Sequence, residues 1–162
     1  VMKERKNQVD QIPGEMNPDS GEKKKVVLWV SRHEPLPSQL IWLGEKLGDY
    51  DLIKVTETVP NAEYVVNMAK EKGATVIVPV LPLSIIARLV ELCRPLGIEV
   101  WWAEMKQVKV MDREPIANVD YNPYNETVVV AAGAHETKSW KIMQFSSFKR
   151  IKAIKLELEE IE

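Results

Sequence analysis

The chain has 162 residues, the length of a single domain on the usual scale of roughly 100–200 residues per domain. Hydrophobic residues make up 45% and charged residues 28%, too apolar for wholesale disorder, and 22 bases against 24 acids leave a net charge of -2 that names neither nucleic acid nor an acidic membrane as partner. One cysteine, Cys93, excludes an intrachain disulfide framework and a multi-cysteine metal site, and two histidines, His33 and His135, leave little for a histidine metal centre, so no metal and no cofactor is expected.

Residues 1–24 are polar, with turn signals at Pro13-Gly14 and Asn17-Pro18, and read as a flexible N-terminal arm. Residues 25–162 read as one α/β domain, with a parallel part over 25–103 and a β-rich extension over 104–162. Val26 to Val30 is a continuous apolar run, the pattern of a strand covered on both faces. A helical stripe follows from Ser38 to Leu47, ended by Gly48. Asp51 to Val59 reads as a strand, Pro60-Asn61 opens a helix through Lys72, and Gly73 stops it. Thr75 to Val78 is a third strand, Leu83 to Leu96 a third helix closed by Gly97, and Ile98 to Trp102 a fourth strand. Four strands separated by three helices of about 10–14 residues predict a Rossmann-like, three-layer, mostly parallel sheet with helices on both faces. Beyond Ala103 the pattern changes to strands over Val108–Val119, Thr127–Ala132, Trp140–Phe145 and Arg150–Glu159, a C-terminal antiparallel extension. In the last of these, Ile154, Leu156 and Leu158 alternate with charged residues, as in a strand with one wet face.

Ligands of open α/β sheets bind beyond the carboxyl ends of the strands, where the strand order reverses. Ser31, Arg32, His33 and Glu34 follow the first strand, Glu57 the second and Glu104 the fourth. Arg32 offers a planar donor fork for phosphate or carboxylate, and His33 can exchange protons near neutral pH, the one candidate catalytic residue. Glu34 can orient the imidazole or pair with Arg32; the plain alternative is a solvated loop stiffened by Pro35 and Pro37. Glu57 and Glu104 can join His33, although no spacing demands it. The seven glycines form neither a Gly-x-Gly-x-x-Gly loop nor a P-loop, which removes the usual dinucleotide and NTPase arguments. Cys93 sits mid-helix and reads as a structural thiol.

Residues 138–155 hold six bases and no acid, with Trp140, Phe145 and Phe148 interleaved. Lys149, Arg150 and Lys152 could track a phosphate backbone while the aromatics stack bases. The favoured alternative has lysines guarding an edge strand and aromatics filling the core. Trp101 and Trp102 are adjacent in a strand and must face opposite ways.

The segment Val-Leu-Trp-Val-Ser-Arg-His-Glu-Pro-Leu-Pro-Ser-Gln, residues 27–39, resembles the start of small, uncharacterised Rossmann-like proteins of archaeal viruses, plasmids and proviruses, which carry Ser-Arg-His-Glu after their first strand. That resemblance implies the fold and a mobile-element origin, and no mechanism. A looser one, to histidine phosphatases, sets Arg32-His33 as their first motif and Gly133-Ala134-His135 as their second, with Glu34 standing where the family has glycine. Sixteen of the 22 bases are lysine and 18 of the 24 acids glutamate, an enrichment associated with hot environments. No apolar run approaches a membrane span of about 18 residues and no secretory signal opens the chain, so a cytoplasmic protein is expected. Three functions stand side by side: a binder of a small anionic or nucleotide-like ligand, a nucleic-acid accessory protein, and a phosphoryl hydrolase. A homo-oligomer is left open, and no membrane partner is expected.

Overall fold

The computed structural model describes residues 24–133, 135 and 137–161. The expected arm over 1–24 lies outside the described residues apart from Lys24. The elements in order are β1 (Lys25–Val30), α1 (Pro37–Leu47), β2 (Tyr50–Val55), α2 (Ala62–Lys72), β3 (Val76–Pro79), α3 (Leu83–Cys93), a 3-10 turn (Arg94–Leu96), β4 (Glu99–Met111), β5 (Glu126–Ala132) and β6 (Lys138–Arg150). The strands are ordered β2-β1-β3-β4-β6-β5.

The chain forms two compact units. The first holds residues 24–33, 49–102 and 150–161. In it β1 runs parallel to β2 on one side, with Val30 opposite Val55, and parallel to β3 on the other, with Leu28 opposite Ile77. β3 in turn runs parallel to the start of β4. Val27 to Val30 and all four residues of β3 are buried, as unbroken apolar runs require. Helices α2 and α3 pack on each other, and Val65, Ala69, Ile86 and Leu89 meet Leu28, Val30 and Ile77 in one core. α2 starts where the Asn61 side chain accepts the Tyr64 N–H at 2.9 Å, and stops at Gly73, whose φ of 71° suits a residue without Cβ. α3 tightens into the 3-10 turn because Pro95 cannot donate to a further helical turn.

The second unit holds Glu34–Gly48 and Ala103–Lys149. β5 and β6 form an antiparallel hairpin, with Val128 opposite Ile142 and Val130 opposite Trp140. α1 opens with Pro37 in its first turn, and the Gln39 side chain accepts the Leu36 N–H at 2.8 Å. Its stripe packs on the hairpin: Trp42 meets Phe148 edge-on at 5.4 Å, and Phe148 stacks obliquely on Phe145 at 5.0 Å. Leu43, Ile142, Phe145 and Phe148 are buried. After β4, Arg113 grips both oxygens of Asp120 at 2.8 and 2.9 Å, and the Ile116 N–H adds a third bond at 2.8 Å.

The expectation of a three-layer, mostly parallel Rossmann-like sheet is corrected. The fold is mixed α/β with a mixed sheet: four strands pair in parallel, while β5 and β6 are antiparallel. β6 also opposes β4, since Glu99 meets Arg150 while Glu104 meets Ser146, descending along one strand as the other ascends. Nor do helices cover the sheet in two layers. α2 and α3 form one layer, whereas the Trp42 side of α1 goes to Phe148. Two expected strands merge, because β4 continues from Glu99 through Met111. The expected strand over Arg150–Glu159 is absent: residues 151–161 carry no regular structure, and Leu156 and Leu158 are exposed. Alternation specifies a strand only when an edge is there to pair with it.

Candidate functional site

The segment after β1 is held by its own side chains. Ser31 is buried, its N–H bonds the Val55 carbonyl at 3.2 Å, and its hydroxyl accepts the His33 N–H at 3.0 Å. The indole N–H of Trp29, a residue 4% exposed, donates to the His33 carbonyl at 3.0 Å. Both polar groups of the His33 backbone are thus engaged, one from the core and one from the preceding serine. A buried indole needs an acceptor, and this loop supplies it. The backbone is therefore fixed while the side chains of Arg32 and His33 stand exposed.

Arg32 Nη2 donates to the Thr58 hydroxyl at 2.6 Å, joining the loop after β1 to the loop after β2. A guanidinium has five N–H donors, so a single bond to a neutral hydroxyl orients the fork without neutralising it. On the other side of β1, the Val80 N–H bonds the Val30 carbonyl at 2.8 Å, which brings the loop after β3 alongside. Val80 and Leu83 are exposed there, and α3 begins at Pro82 with no side-chain cap and no acid in its first turn. Uncapped N–H groups at a helix start favour an anion.

The remaining expected site residues have partners or positions of their own. Glu57 accepts the Tyr64 hydroxyl, and that bond holds the Tyr64 phenol above its ordinary range. Nearby, Glu63 is lowered by its own backbone N–H and then by Arg88, which bonds it at 3.2 Å. Glu34 is exposed and opens the second unit. Glu104 also belongs to the second unit, where it pairs with Lys149 at 2.9 Å. His135 lies exposed in the turn joining β5 to β6, with a φ of 57°. Among the described residues, no three of His, Cys, Asp and Glu gather in a way that could hold a metal ion.

The basic segment has its own contacts. Lys149 bonds Glu104, Arg150 bonds Glu99 at 3.1 Å, and the Lys152 carbonyl accepts Arg94 Nη2 at 2.7 Å. Phe145 and Phe148 are buried, so they offer no stacking surface. Nor is β6 an edge, because it lies between β4 and β5. The edge-guard explanation of its lysines is corrected on that ground. Trp101 is half-buried and donates to Glu99 at 2.9 Å, while Trp102 is exposed, the opposite facing expected of neighbours in a strand. Cys93 is fully buried, and desolvation pushes its thiol up to about 11.

One residue of the candidate site carries no functional signal in the sequence: Trp29 reads as core, whereas Thr58 stands with Glu57 at the carboxyl end of the second strand. The available signal was the spacing of a buried indole four residues before a turn carbonyl. Among the described residues, no helix is long and apolar enough to cross a membrane. Comparison with known protein families, curated proteins and solved structures finds no match for this chain.

Proposed function

We propose that the chain binds a small anionic, nucleotide-like ligand at the carboxyl ends of β1 and β3, with Arg32 holding the anion. The observation that carries this reading is the pinned Ser31–His33 loop, which sets Arg32 just after β1, the strand where the order reverses, its fork held by one bond to Thr58 on the β2 side and turning from there to the anion. From β1 the chain proceeds to β2 on one side, and β3 lies on the other. In the order β2-β1-β3-β4 the crevice for a ligand falls between β1 and β3. His33 serves as a hydrogen-bond donor or proton carrier beside the anion. Val80 and Leu83 supply apolar surface for the body of the ligand, and the uncapped start of α3 supports its negative charge. Glu34, Glu57 and Glu104 are not assigned contacts with it.

The Ser-Arg-His-Glu resemblance and the lysine- and glutamate-rich composition support a cytoplasmic protein of an archaeal mobile element from a hot environment. An NMR titration with inorganic phosphate and a nucleoside monophosphate, with binding read at the amides of His33, Val80 and Leu83, tests the binding reading. Arg32→Ala should abolish binding with an unchanged melting temperature, and Arg32→Lys should restore it in part, because a point charge lacks the fork. Equal affinity for wild type and Arg32→Ala would refute it.

A further inference from the structure

A second candidate site lies at the opposite end of the same parallel strands. A groove of about 430 Å³ opens at the amino end of β4, within the range of roughly 300–1,000 Å³ usual for small-molecule pockets. Its walls are apolar, with Ile98, Val100 and Ile151 among them, and its rim carries Arg94, Arg150 and Lys152 against one carboxylate, Glu99. Three cations gather at this rim in a chain of net charge -2, two of them each paired with one carboxylate.

The rim is built rather than incidental. The Ile151 N–H bonds the Val100 carbonyl at 2.8 Å, and Arg94 Nη2 grips the Lys152 carbonyl at 2.7 Å, so residues 150–152 are fixed beside β4. Arg94 spends Nη1 on Glu91 at 2.9 Å, and Arg150 spends Nη1 on Glu99 at 3.1 Å. Each guanidinium has further N–H donors beyond these. Glu99 is itself shared with the Trp101 indole at 2.9 Å, which divides its attraction for Arg150. Among the described residues the Lys152 ammonium has no carboxylate partner. A helix end would ordinarily repel an anion through its open carbonyls. Here the Cys93 and Arg94 carbonyls are taken by the N–H groups of Ile98 and Gly97, both at 3.2 Å.

We infer that this groove binds an organic phosphate monoester, its apolar body against Ile98, Val100 and Ile151 and its phosphate between Arg150, Lys152 and Arg94. Three cations from separate positions suit an anion with three outward oxygens. The site is independent of Arg32.

Phenyl phosphate is the probe, titrated into the full chain while backbone amides are followed by NMR, with phenol and inorganic phosphate in parallel. Phenyl phosphate should shift the amides of Gly97, Ile98 and Ile151 and bind more tightly than either control. Arg150→Ala with Lys152→Ala should weaken it about tenfold or more, as expected for charge-assisted bonds, and the exposed Lys152→Ala alone should weaken it measurably. Arg32→Ala should leave it unchanged. The inference is overturned if those amides do not move, if phenol binds as well, or if the double substitution has no effect. Loss of binding in Arg32→Ala would also overturn it, by placing the probe at the other end of the strands.

Discussion

Replacing Trp29 by phenylalanine separates the two roles of that side chain. The aromatic bulk in the core is largely kept, while the indole N–H that holds the His33 carbonyl at 3.0 Å is lost. The hydrogen bond contributes roughly 0.5–1.5 kcal/mol net. Two fewer ring carbons remove roughly 1.6 kcal/mol of burial, at about 0.8 kcal/mol per carbon, because the residue is only 4% exposed. Trp29→Phe should therefore destabilise by roughly 2–3 kcal/mol in urea unfolding, read from the midpoint at constant slope. It should also free the Ser31–His33 loop, raising hydrogen exchange at the His33 amide, whose remaining tether is the Ser31 hydroxyl. Anion affinity should fall in step, because a mobile loop must be ordered on binding. A change below about half a kcal/mol, with His33 exchange unaltered, would show that the indole does not organise the loop.

Ile77→Ala, in the fully buried β3, should cost roughly 2–5 kcal/mol in the same assay without changing anion affinity per folded molecule. The Cys93 thiol, pushed up to about 11 by burial, should resist a thiol reagent at pH 8 in the native protein and react at once in denaturant. Asp120 is held down at about 2 by Arg113 and then by the Ile116 N–H. Because its folded value is depressed, its contribution is complete above its ordinary 3.8 and is lost as pH falls toward about 2. NMR signals from residues 112–121 should accordingly change over that window, and Asp120→Asn should abolish the dependence.

The parallel half was legible because its signals are local. Unbroken apolar runs mark β1 and β3, Asn61 caps α2, and Gly73 and Gly97 end the segments before β3 and β4. The chain beyond Ala103 was less legible, because strand pairing there depends on distant partners. Glu104 and Lys106 make β4 look finished, yet it runs on to Met111 beside β6. Ser146-Ser147 reads as a break, whereas β6 passes through it with Ile142, Phe145 and Phe148 buried at every third position. That spacing is foreign to a flat ladder and invisible to a search for period two. The stripe of α1 likewise shows that a helix buries one face, but not that Phe148 receives it. Position along the chain was enough to set Arg32 and His33 just after β1, where the structure has them. The bonds that hold them, from Trp29 and Thr58, required the fold.

An anion held by Arg32 between the ends of β1 and β3 is tested most directly by an NMR titration of the full chain with a nucleoside monophosphate. Saturable shifts are expected at the Arg32 side-chain N–H, the His33 amide and the amides of Val80, Leu83 and Ser84, all absent in Arg32→Ala. No saturable shift at these groups, or shifts at these same groups that persist in Arg32→Ala, would contradict an Arg32-centred site.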